Sequence, residues 1–256
     1  MMEKEKRIHK LSDLKTIYDE LRESIKNRGE THDAMASNME KLQAQETNSE
    51  NLIRWYKKAL SEYPELKEVE ILQKTESGFN ARSIPKHSEN NTSGHHEILL
   101  DLKPGSEVAL LEELQPRKET LKYVANRLNI SVDQLTPELI QAYAMLHELG
   151  HSLDHIRTKR PPSERTKLRN HEMATLPIGN ATVNDLLDED LQQKITEKYS
   201  DVFEGTSKKY NVPINNFDDI IKLQEIEYKK LPSELYADDF AISILTGAYF
   251  DADKTP

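Results

Sequence analysis

Cysteine is absent from this chain of 256 residues. That excludes disulfides, thiol catalysis and cysteine-ligated zinc together. Long apolar runs are missing as well. No stretch approaches the roughly 18 apolar residues in a row that a membrane-spanning helix requires, so no span is expected. Positive charge is in deficit: 35 Lys and Arg face 45 Asp and Glu, for a formal net charge of -10. Nonspecific binding to nucleic acid or anionic lipid needs a positive surface, so neither partner is expected. Met1 to Lys10 are charged and lead into no apolar run, so no classical secretory signal is expected. The expected location is the cytoplasm, or the exterior by a route that uses no such signal.

The remaining composition, 36% hydrophobic and 31% charged, is that of a polar globular chain with room for one large domain or two modest ones. Residues 1–63 read as an N-terminal helical hairpin or arm. Leu11, Leu14, Ile17, Tyr18, Leu21 and Ile25 recur at helical spacing, and a second helix is expected from about Asp33 to Glu62, with Trp55 and Tyr56 as core anchors. Residues 64–256 read as the main domain. Short strands are expected at Val69 to Leu72, Phe79 to Ile84 and His96 to Leu102, with Pro85 to Gly94 as a hairpin loop or lid.

Glu107 to Leu128 reads as helix broken near Pro116. Thr136-Pro137-Glu138 opens the central helix, a hydroxyl cap followed by a proline that the first turn tolerates. It runs to about His155, with Leu139, Ala142, Tyr143, Leu146, Leu149 and Leu153 on its apolar face. Lys159 to Pro162 ends it, and a charged loop is expected to Asn170. Helices follow over Asn184 to Phe203 and Asp218 to Lys229, separated by a connection at Gly205 to Asn216. The last helix starts at Pro232, with Ser233 as its cap. The fold class is α+β: mostly helical, with a few short strands.

That helix carries His147-Glu148-Leu149-Gly150-His151. Residues four apart lie one turn apart on one helix face, so both imidazoles can meet one ion. Glu148, next to the first, can reach a water on that ion and act as general base. Zinc takes neutral imidazole and keeps a position open when three protein groups hold it. Gly150 costs the helix about 1 kcal/mol relative to alanine. A close neighbour or a tight approach to the metal would explain its missing side chain.

His155 extends the ladder but lies about 12 Å along the axis from His147, too far to share its ion. It is expected at the rim, on the substrate side, or in solvent. His171 stands alone after a polar stretch. Glu234, at the start of the last helix, is the best third ligand. Asp154 and Asp238 are placed to accept the far N–H of a ligand histidine and fix its tautomer. Tyr228, shortly before Glu234, is the first choice to stabilise an oxyanion, ahead of Tyr236, Tyr210, His171 and His155.

His147-Glu148-x-x-His151 with Glu234-x-x-Ala237-Asp238 resembles the gluzincin metallopeptidases. The run Glu234-Leu235-Tyr236-Ala237-Asp238-Asp239-Phe240-Ala241 is most similar to the group formed by the anthrax lethal factor catalytic domain and the proline-proline endopeptidases. His151-Ser152-Leu153-Asp154 also resembles their pattern. The IrrE/ImmA-like regulatory peptidases and the HtpX-like peptidases come nearly as close. The resemblance covers roughly residues 96–250 and implies a zincin-like domain, with a small mixed sheet over the zinc helix and an edge strand near His96 to Leu102 that would pair with an extended peptide. It also implies His147, His151 and Glu234 as zinc ligands, Glu148 as base and Tyr228 as the transition-state tyrosine. The spacing from Tyr228 to Glu234 is one residue shorter than that pattern.

The leading expectation is a zinc endopeptidase acting on a protein or peptide, in the manner of a toxin-like or secreted effector. Two alternatives stand beside it. One is a cytoplasmic regulatory peptidase that cleaves a specific repressor or partner, recognised by the N-terminal helices. The other is a zinc-stabilised binding protein without turnover. Sequence supplies no cleavage-site preference and no oligomeric state.

Overall fold

The computed structural model describes residues 49–73, 83–88, 91–101, 105–179, 189–198 and 202–252. All of them belong to one compact unit, Met35–Pro256. The helix expected at Leu11 to Ile25, the first part of the one from Asp33, and the first part of the strand expected from Phe79 lie outside the described residues.

Helix α1 (Ser49–Glu62) is followed by a short 3-10 turn (Pro64–Glu68) and strand β1 (Val69–Gln73). β2 (Ser83–Ser88) and β3 (Asn91–Leu100) come next. α2 (Ser106–Leu114) and α3 (Lys118–Leu128) flank the break expected at Pro116. α4 (Pro137–Thr158) is the central helix, and α5 (Pro162–Thr175), α6 (Glu189–Lys198), α7 (Val202–Tyr210), α8 (Phe217–Tyr228) and α9 (Pro232–Thr246) complete the chain. Mostly helical with one small sheet, the molecule is an α+β protein.

The strand order is β1-β3-β2, with β1 parallel and β2 antiparallel to β3, so the sheet is mixed as expected. Along β1 and β3, Val69, Ile71, His96, Ile98 and Leu100 are buried, whereas Glu70, Leu72, Glu97 and Leu99 are not. This is the period-two alternation of a sheet packed on one face, and the sheet packs on α4.

α4 begins as its sequence dictates. Thr136 Oγ1 accepts from the Leu139 N–H at 3.3 Å and Pro137 takes the first turn. It ends at Lys159, which adopts the left-handed conformation (φ 50°) ahead of Pro161. Between these ends, α1, α2, α9 and the sheet all pack on it. Every residue from Ile140 to Gly150 is therefore buried, not only those on one apolar stripe. Leu52, Tyr56 and Ala59 of α1 belong to the same core as Met145, Leu146 and Leu149 of α4 and Phe240 and Ile244 of α9. A smaller cluster, Ile214, Ile220 and Leu223, holds α7 and α8 together with Phe203 and Phe217.

Five expectations are corrected. β3 is hydrogen-bonded on both sides, to β1 and β2, so it is no edge strand and offers no ladder to a peptide. Most of the stretch Pro85 to Gly94 is strand, because Lys86 pairs with His95 and Ser88 with Asn91. Pro85 is tolerated there because β2 lies at the sheet's edge. The charged loop after Pro162 is a helix, α5. The connection at Gly205 begins as helix, α7, with Val212 and Ile214 packed in the smaller core. Ser233 is not the cap of α9. The chain enters that helix at Leu231, and the Glu172 carboxylate of α5 accepts from the Ser233 N–H at 3.1 Å instead.

Candidate metal centre

His147 and His151 project from successive turns of α4 with their rings nearly perpendicular (88°), centroids 4.7 Å apart. Their Nε2 atoms stand 3.1 Å from each other. Glu234 lies in the first turn of α9 and is 1% exposed. Its Oε2 is 3.3 Å from His147 Nε2 and its Oε1 3.6 Å from His151 Nε2. Ligand atoms about 2.0–2.1 Å from a tetrahedral ion are separated by about 3.3–3.4 Å. The imidazole pair and the His147–Oε2 pair lie near that value, while the oxygen nearer His151 is Oε1; one donor atom from each residue lies within 4.8 Å of the others, so the group could hold one metal ion.

The two helices meet closely because Gly150 has no side chain. A Cβ at that position would fall 2.8 Å from Ala237 Cα and 3.0 Å from its carbonyl oxygen. The glycine of the motif therefore allows the crossing of α4 and α9 that delivers Glu234 to the histidines. The close neighbour is Ala237 rather than the metal.

Asp238, fully buried one turn after Glu234, accepts from His147 Nδ1 at 2.7 Å and from the Tyr143 hydroxyl. The buried Lys229 ammonium lies 3.4 Å from both of its oxygens. Burial opposes charge on Asp238, but Lys229, His147 and Tyr143 outweigh it and hold the carboxyl down at about 2. The arrangement fixes a proton on His147 Nδ1 and turns Nε2 toward Glu234 and His151.

In the metal-free protein, burial again opposes charge on His147, yet Asp238 and Glu234 raise the imidazole to about 10. Burial drives His151 down to about 4. Burial also works against Glu234, but the two imidazoles and Arg169 beside it hold its carboxyl well below the usual range. One proton, on His147, thus sits where the group could hold a cation.

Glu148 is 7% exposed and follows His147 directly. At 3.6 residues per turn it lies about 60° round the helix from His151. Tyr228, at the end of α8, accepts from Arg169 Nη2 at 2.9 Å. Burial and Glu234 push its hydroxyl far above the ordinary tyrosine value, so it stays protonated and able to donate. The other tyrosines considered for an oxyanion have hydroxyls committed to backbone carbonyls, Tyr236 to Ala252 and Tyr210 to Thr175.

One expected role is not met, and one of the three places expected for His155 is excluded. Asp154 is buried but makes no hydrogen bond to either imidazole, and its Oδ1 has no partner among the described residues. Its helical position points it toward Arg160 and Arg165 instead, although burial still raises its carboxyl. His155 is not in solvent. Its ring packs 5.5 Å from that of His96 on β3, its Nδ1 is buried without a hydrogen-bond partner, and burial drives it down to about 2. His171 is exposed on α5.

Three residues escaped the sequence reading: Arg169, Lys229 and, as a polar group, Tyr143. Tyr143 precedes His147 by one turn, a spacing that signals a side-chain partner. Lys229 and Arg169 carry no such local signal, because their partners come from other elements. Among the described residues, no helix is long and apolar enough to cross a membrane. Comparison of the chain with protein-family models, with curated proteins and with solved structures finds no match.

Proposed function

We propose that this chain is a zinc-dependent endopeptidase with a zincin-like catalytic domain. The reading rests on one observation above all. Donors from two distant helices, His147, His151 and Glu234, come within 3.1–3.6 Å of one another beside a buried glutamate that the same helix supplies. Three protein ligands leave a zinc position open for solvent, as catalysis requires. A bound zinc ion would supply Lewis acidity at the scissile carbonyl and lower the pKa of a water in the site. The roles of the protein groups follow from their chemistry. Glu148 takes the proton of the attacking water and passes it to the leaving amine as the C–N bond breaks. Tyr228 donates its hydroxyl proton in a hydrogen bond to the carbonyl oxygen as negative charge develops there. Asp238, held by Lys229 and Tyr143, keeps His147 in the ligating tautomer.

Purified protein is expected to hold about one zinc per chain, measured by elemental analysis after exhaustive dialysis. Glu148→Gln should abolish cleavage of a broad peptide library while the zinc stays bound. Undiminished cleavage by that variant removes Glu148 from the mechanism. No cleavage of any peptide by the zinc-loaded wild type removes the peptidase.

A further inference from the structure

Arg169 is the feature that the mechanism leaves unexplained. It is a cation placed directly against a proposed metal ligand. Its Nη1 donates to Glu234 Oε1 at 2.8 Å and to Ser233 Oγ at 3.3 Å, while its Nη2 donates to the Tyr228 hydroxyl at 2.9 Å. The guanidinium also lies over the Tyr228 ring, 5.4 Å from its centroid, and Glu172 is 3.8 Å from Nη1. Helix α5, which supplies Arg169, is fixed to the start of α9 by Glu172, which accepts from the Ser233 amide. A positive charge beside a group that must bind a dication is unfavourable for metal affinity. Its presence needs a return of another kind.

We propose that Arg169 is the positioning residue of this site, binding Glu234 and Tyr228 as one rigid unit. The planar fork of a guanidinium can hold two acceptors at a fixed angle, which a lysine ammonium cannot. One prong occupies Oε1 of Glu234 and leaves Oε2, the oxygen nearer His147, to face the metal. A metal held here would then meet one carboxylate oxygen instead of two, which would leave a position for solvent. The other prong occupies a lone pair of the Tyr228 oxygen. Its proton is then directed at an acceptor, the Glu234 carboxylate in the metal-free protein and an oxyanion once one forms beside it. The side chain is 38% exposed, so the pair it organises lies within reach of a substrate.

The inference deepens the peptidase reading and rests on it, but one of its tests needs no turnover. Arg169→Met and Arg169→Lys are each loaded with cobalt(II) in place of zinc. The visible absorption bands of cobalt report the coordination number. Both variants should show weaker, shifted bands as Glu234 becomes free to offer its second oxygen. Bands identical to wild type in both overturn the proposal, whether or not the protein cleaves peptides. For turnover, both variants should lose about 10–100-fold in kcat, the usual scale for a group that orients a ligand, with KM little changed. Tyr228→Phe should cost little more in the Arg169→Met background than Arg169→Met alone. Fully additive losses, or an Arg169→Lys enzyme equal to wild type, show that charge or packing matters rather than the fork. Should Arg169→Met fail to fold, Arg169→Lys decides alone.

Discussion

Asp238 carries a larger load than its place behind His147 suggests. It is 0% exposed, and its neighbours are a cation, an imidazole and a phenol. Buried pairs of this kind contribute little net stability when intact, yet breaking one is costly because the other charge is stranded. Asp238→Ala leaves the Lys229 ammonium, the His147 Nδ1–H and the Tyr143 hydroxyl without their acceptor. The expected cost is about 3–5 kcal/mol, read from urea denaturation of the metal-free protein. Metal affinity should fall about 10–100-fold as the imidazole loses its orientation. The double variant Lys229→Met/Asp238→Ala separates the two effects. Removing the stranded cation should restore part of the stability, while metal affinity stays low because nothing orients His147. An Asp238→Ala protein with the wild-type urea midpoint would show that the carboxylate is not the counter-charge described here.

At the scale of elements, the site is a property of one helix crossing. Gly150 forfeits about 1 kcal/mol of helix propensity relative to alanine. A methyl there would overlap the backbone of Ala237, which cannot rotate away, at an overpacking cost of about 1–3 kcal/mol. Gly150→Ala should therefore change folding stability only modestly, yet weaken metal binding sharply, because α9 carries Glu234 one turn before the contact. Ala237→Gly should not rescue it, since the overlap is with the Ala237 Cα and carbonyl rather than its side chain. Rescue in a metal titration would refute this geometry. The same crossing explains what the sequence could disclose. α4 and α9 were readable because their proline starts and apolar periodicity are local properties, and the donors lie on them at fixed spacings. α5 was not, because none of its described residues is fully buried and it has no apolar stripe to mark a helix. Reading that stretch as loop is what hid Arg169. The position of β3 was misjudged for a related reason. A run of residues reveals a strand but not which strands flank it.

For the molecule as a whole, the consequence concerns charge placed under burial. The chain carries net negative charge, yet its deepest polar cluster does not: His147, Lys229 and Arg169 face Asp238 and Glu234 within a few ångströms. Without metal, His147 keeps its proton to about pH 10, against an ordinary value of 6.5, because Asp238 and Glu234 stabilise its charge. The sign of the linkage follows from the direction of that shift. A group whose folded value is raised adds stability that is fully present below its unfolded value and is lost as pH rises through the folded one. The metal-free protein should therefore lose stability between about pH 6.5 and about pH 10 from this group. A bound metal replaces the proton and removes that loss, because the ion needs the imidazole neutral. The increase in Tm on adding zinc should accordingly be larger at pH 9 than at pH 6.5, over and above the mass-action effect of occupancy. Long-range proton–nitrogen NMR spectra of the chelated protein at pH 8 provide the direct check. His147 should show both ring nitrogens protonated and His151 only one. A neutral His147 there would mean that Asp238 and Glu234 do not stabilise its charge, and with it would go the account of how this site stands ready for a cation.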